Sequence, residues 1–135
     1  MSEPPPERAV FRRRHRLARD LEYAAVFQEK LRKSRGPLVV FARPTAGPEH
    51  RLGLSVGRRA GPAHRRVRIK RLIREAFRLE RAGLPHPDLG AFDLVVNARA
   101  HDAAPLSAYR RWLSDAVAAI AREQSKRDTK SASDA

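Results

Sequence analysis

Between Gly57 and Arg78 the chain carries nine cationic side chains, Arg58, Arg59, Arg65, Arg66, Arg68, Lys70, Arg71, Arg74 and Arg78, against one acid, Glu75. Side chains of this type and density bind phosphate. A guanidinium grips two phosphate oxygens with a planar fork and stacks on bases, and an ammonium adds a point charge. The spacing suits that chemistry. Arg58 and Arg59 follow a strand pattern, Gly61-Pro62 turns the chain, and Arg65, Arg66 and Arg68 open a helix whose free N–H groups already favour anions. A second cluster, Arg8, Arg12, Arg13, Arg14, Arg16 and Arg19, has no acid between its ends. Tyr23 and Phe27 share a helix face and Phe41 lies on a neighbouring strand. Aromatics so placed either fill a core or stack on unpaired bases.

Other chemistry finds little support. The chain has no cysteine, which rules out disulfides, thiolate metal sites and cysteine nucleophiles. His15, His50, His64, His86 and His101 never stand three or four residues apart, so no helical metal pair forms, and they read as exposed or loop residues. Asp88, Asp93 and Asp102 are scattered, with no pair set for acid–base work. No phosphate-loop or dinucleotide glycine pattern occurs, and no serine sits in a nucleophile elbow. The expectation is a protein with no catalytic residues and no metal site of its own.

The 135 residues include 29 Lys+Arg and 15 Asp+Glu, a net charge of +14. That length suits one domain. The charge implies a polyanionic partner, with nucleic acid the first candidate and an anionic membrane surface the second. No apolar run of about 18 residues is present to span a membrane. The stretch MSEPPPERAVFRRRHR lacks the apolar centre of a secretory signal, so a cytoplasmic location is expected.

The elements that must position these residues follow from periodicity. Residues 1–9, with Pro4-Pro5-Pro6, read as a disordered arm, and 10–122 as a single domain. Asp20 is placed to cap a helix over about 20–31. Leu38–Ala42 and Arg51–Val56 read as strands, joined by a short connection that suggests an antiparallel pair, with a short extra strand near 33–35. Ile69, Leu72, Ile73, Ala76 and Phe77 form one apolar stripe of a helix over about 63–81, with Lys70, Arg71, Arg74, Arg78 and Arg81 opposite. Phe92–Ala98 reads as a strand and 105–123 as a last helix, leaving 123–135 as a flexible polar tail. The order α-β-β-α-β-α is an α+β class, a small α-β sandwich.

The stretch Arg51–Arg78, RLGLSVGRRAGPAHRRVRIKRLIREAFR, resembles the bacterial ribonuclease P protein family. That family carries a strand of the R-x-G-L-S/T-V type, two basic residues, a turn, and a helix reading R-N-R-I-K-R-L-x-R-E-x-F. Here Arg66 to Phe77 follow the helix pattern, with Val67 where the family usually has Asn. The order of elements agrees over about 11–121. The resemblance implies an α-β sandwich whose β-α-β crossover is left-handed, against the usual hand. It also implies a subunit of a ribonucleoprotein endonuclease that removes the 5′ leader of precursor tRNA, with the chemistry in the RNA subunit and its Mg²⁺. By resemblance, Arg66, Arg68, Lys70, Arg71 and Arg74 match the segment docked on the catalytic RNA, with Arg65 beside it. Arg58 and Arg59 match the basic pair after the strand, and Tyr23, Phe27 and Phe41 match the cleft for the leader. The implied partners are the catalytic RNA and precursor tRNA, with no cofactor on the protein alone, no membrane and a monomeric free protein. The alternatives are a general RNA-binding or ribosome-associated protein of the same fold with no part in cleavage, and a duplex-DNA binder.

Overall fold

Ala91–Ala98 supplies the strand that organises the molecule. Seven of its eight residues are buried, the mark of a strand covered on both faces. The computed structural model describes residues 11–134, so the Pro-rich arm at 1–9 lies outside the described residues. In chain order the elements are α1 (Asp20–Gln28), β1 (Leu31–Arg35), β2 (Leu38–Thr45), β3 (Arg51–Leu54), α2 (Ala63–Glu80), β4 (Ala91–Ala98) and α3 (Leu106–Asp134).

The sheet order is β1-β2-β4-β3. The expected β2–β3 antiparallel pair is therefore wrong. β4 inserts between them, antiparallel to β2 with Phe41 opposite Val95, and parallel to β3 with Gly53 opposite Val95. A β2–β3 hairpin would have left the doubly apolar β4 at an edge. The extra strand is present and longer than expected, over Leu31–Arg35, and it forms the hairpin with β2.

Two cores follow from the strand alternation. On one face Leu38, Val40, Leu52, Leu94 and Val96 meet Ile69, Ile73 and Phe77 of α2 and Tyr109, Leu113 and Ile120 of α3. On the other face Val95 meets Leu17 and Val26, with Tyr23 and Phe41 packed around them. The α2 stripe read from the sequence is buried apart from the partly covered Leu72.

Four local expectations need correction. First, α1 stops at Gln28, because Lys30 takes φ +58 and Leu31 turns into the core. Its N-cap is Arg19, and Asp20 is the first helical residue. Second, Arg81 is buried, because α2 ends at Glu80 and a tight turn swings Arg81 inward. Third, α3 does not stop near 123 to leave a flexible tail. Arg127 donates to the carbonyls of Glu29 (3.3 Å) and Lys30 (3.2 Å), tying the turns of α3 beyond residue 123 to the end of α1. Bonds from Gln124 to Asp128 and from Thr129 to the Ser125 carbonyl support those turns.

Fourth, His15 and His50 are buried rather than exposed. His50 Nδ1 accepts the Phe92 N–H (3.0 Å), so its Nε2 carries the proton and donates to the Leu84 carbonyl. Burial, and then the nearby His86, push the His50 pKa down to about 4. A base whose folded pKa is depressed contributes stability above its unfolded pKa, near 6.5, and loses it as pH falls toward about 4. The melting temperature of the protein is therefore expected to fall between pH 6.5 and 4. In His50→Asn, pH scans should show a flatter profile across that window. An unchanged slope would assign the acid sensitivity to other groups.

Candidate nucleic-acid interface

The cationic corner is built by backbone geometry. After β3, Arg58–Ala60 form one turn of 3-10 helix, and the buried Ala60 pins it to the core. Gly61 then takes φ +131, a conformation that favours glycine, and Pro62 starts α2. No side chain caps α2 at its N-terminus, which leaves its first N–H groups without a side-chain acceptor near Arg65 and Arg66.

The apolar stripe of α2 fixes where its charges go. Arg68, Arg71 and Arg74 are exposed, and Arg66 and Lys70 are half-buried at the flank. Arg65 lies 3.4 Å from Asp102, and Arg78 bonds Glu75 through Nε at 3.0 Å. Among the described residues no acid pairs with Arg58, Arg59, Arg66, Arg68, Lys70, Arg71 or Arg74. Val67 sits within this face, 47% exposed, where it offers an apolar contact and no hydrogen bond.

A second surface lies on the α1 side of the sheet. Beside α1 is a groove of about 700 Å³ whose lining includes Phe41, Val39, Arg32, Asn97, Arg58 and Arg59. The structure thus takes Arg58 and Arg59 away from the α2 face and sets them at the groove. Phe27 packs edge-on to Phe41, ring centroids 4.9 Å apart, and is 39% exposed. The Arg32 guanidinium lies 5.9 Å from the Phe41 ring centre. Aromatic surface beside unpaired guanidinium is suited to stacking and phosphate neutralisation along a single strand.

Tyr23 is placed differently from Phe27 and Phe41. Its ring lies against Gly53, where an added Cβ would come within 2.6 Å of Tyr23 Cζ, and its hydroxyl accepts the Leu54 N–H (3.2 Å). It lines a separate pocket with Arg16, Lys70 and Arg74 rather than the Phe41 groove. That pocket joins the α2 face to α1. Arg16 is held there over the Phe11 ring at 4.8 Å, and Phe11 in turn packs on Phe77. Arg16 belongs to the second basic cluster of the sequence, whereas Arg32 is not among the residues that the sequence reading picks out. The alternation of β1, with Leu31 inward and Arg32 outward, is the signal that marks Arg32.

An ion-pair network fixes α1 over the sheet. Asp93 on β4 is fully buried, bonded by Arg51 at 2.8 and 2.7 Å and by Arg43 at 3.3 Å. Arg51 also reaches Glu22 of α1 at 2.8 Å. Asp93 raises the Arg51 pKa, so the guanidinium stays charged. Among the described residues no cluster of three or more His, Asp or Glu could hold a metal ion, and no helix is long and apolar enough to cross a membrane.

A family model described as Ribonuclease P matches residues 11–121. The chain belongs to the ribonuclease P protein family. It is similar to the ribonuclease P protein component of Methylococcus capsulatus, at 44% identity over 101 residues, 73% of this chain and 75% of the relative. It is also similar to that of Chromobacterium violaceum, at 44% over 90 residues, 66% and 70% of the two chains. Among solved structures, the ribonuclease P protein from Thermotoga maritima matches with a TM-score of 0.61 at 29% identity, covering 79% of this chain and 96% of that one. Membership of this family carries a role in tRNA 5′-end processing as part of ribonuclease P.

Proposed function

We propose that this ribonuclease P protein docks on the catalytic RNA through Arg66, Arg68, Lys70, Arg71 and Arg74, and receives the 5′ leader of precursor tRNA in the groove of Phe41, Phe27, Arg58 and Arg59. The observation that carries this reading is the pairing of two distinct surfaces. One is a helix face of cations without acid partners, and the other is a groove with an aromatic wall. The first suits a folded RNA and the second a single strand. Tyr23, on the other side of α1, belongs with the pocket that connects them. In this reading, as the resemblance of Arg66–Phe77 implies, the RNA subunit supplies the cleavage chemistry with its Mg²⁺. The protein acts as a cytoplasmic monomer that contributes binding energy and position.

The test is reconstitution. Added to a bacterial ribonuclease P RNA at low Mg²⁺, the purified chain should stimulate cleavage of precursor tRNA. It should also raise affinity as leader nucleotides are added. Absence of stimulation would overturn the reading. Within that assay Phe27→Ala should weaken leader binding by about 1–3 kcal/mol, the worth of one stacked base, with RNA-subunit affinity nearly unchanged. A variant that only melts earlier would make Phe27 a core residue.

A further inference from the structure

The family match ends at residue 121, yet α3 runs on to Asp134. The first turns of that extension are held by Arg127 on the Glu29 and Lys30 carbonyls, and by Glu123, 3.8 Å from Lys33 of β1. Arg122, Lys126 and Lys130 recur every four residues and so form one stripe along the helix. Which side that stripe takes is settled by two ion pairs. Arg110 bonds Glu80 of α2, and Glu123 meets β1. The stripe continues round the helix from Glu123, on the side away from α2, along the free edge of β1. All three side chains are exposed, and no acid pairs with them among the described residues.

The same strand edge borders the groove. Arg32 of β1 turns to the α1 side and lines the Phe41 groove, and the exposed Lys30 stands at the corner between α1 and β1. A polyanion that lies in the groove and leaves across β1 thus passes from Arg32 and Lys30 to the stripe on α3.

We propose that Arg122, Lys126 and Lys130 form a second track for single-stranded RNA, binding phosphates of leader nucleotides upstream of those in the groove. This deepens the leader-groove reading and rests on it. The stripe is one cation wide, with a rise of about 6 Å between successive charges, which fits a single backbone rather than a folded RNA surface. No aromatic side chain lies in it, so the contact is blind to sequence.

The experiment uses the full chain reconstituted with ribonuclease P RNA, and two precursor tRNAs. One leader just fills the groove, and the other is several nucleotides longer. Wild type should bind the longer leader more tightly. Lys126→Gln/Lys130→Gln should lose that gain, with the long-leader salt slope falling by about 1.4 for two single-strand phosphates. Short-leader affinity and the melting temperature should stay at wild-type values. If the double variant keeps the gain, the stripe only guards the β1 edge against strand pairing and the proposal fails. Weaker binding to ribonuclease P RNA alone would make that RNA the occupant and also overturn it. A wild type with no leader dependence at all would instead sink the groove reading beneath it.

Discussion

Replacing Arg68, Arg71 and Arg74 together by glutamine is expected to weaken binding to the ribonuclease P RNA by about three orders of magnitude. Each charge-assisted hydrogen bond contributes about 1.5 kcal/mol at the low end, so three contribute about 4.5 kcal/mol, and about 1.4 kcal/mol is a factor of ten. The log–log salt slope should fall by about 2.7 if each arginine neutralises one duplex phosphate. Stability should not suffer, since all three are exposed and have no acid partner among the described residues. Glutamine keeps the helix propensity of the positions, so circular dichroism should be unchanged. Filter binding over a salt series decides the matter. An unaltered slope with intact fold would remove this face from the RNA interface.

Asp93→Ala should produce the largest loss of stability. The carboxylate is fully buried between Arg51 and Arg43, whose side chains are 33% and 35% exposed. Removing one partner of a buried pair leaves the other charges uncompensated, and their partial access to water moderates the cost to about 3 kcal/mol. For a domain of this size that is about 10 °C in melting temperature. The effect should extend to α1, since Arg51 also carries Glu22. Asp93→Asn, which keeps an acceptor, should lose less. A loss under about 1 kcal/mol for the alanine variant would mean that the network behaves as an ordinary surface ion pair.

The sequence made α2 readable because both of its faces are written locally. Ile69, Ile73, Ala76 and Phe77 mark one side, and the arginines mark the other. The same holds for Tyr109, Leu113, Val117 and Ile120 of α3. The groove was less readable. Its walls come from β1, β2, β4 and the turn after β3, and their adjacency depends on strand order, which no local pattern encodes. Asp93 looked like one scattered acid until β4 moved between β2 and β3 and brought Arg43 and Arg51 to its two sides. The end of α3 is hidden from the sequence for a related reason. Its composition is polar, and its support comes from residues 29 and 30, nearly a hundred positions earlier in the chain. Tyr23 and Phe27 share a helix, but the close approach of Gly53 draws the tyrosine ring to one side and Phe41 takes the phenylalanine on the other.

The place of β4 between β2 and β3 also bears on how the chain is made. It is the last of the four strands to leave the ribosome, and two of the three seams of the sheet need it. Until residue 98 has emerged, the β1–β2 hairpin and β3 have no common neighbour, and α2 has only half a floor beneath its oily side. During that interval the nascent polypeptide is a polycation with an open seam, beside a ribosome rich in RNA. Closure therefore comes late and all at once, with the non-local pairing that slows folding concentrated in a single strand.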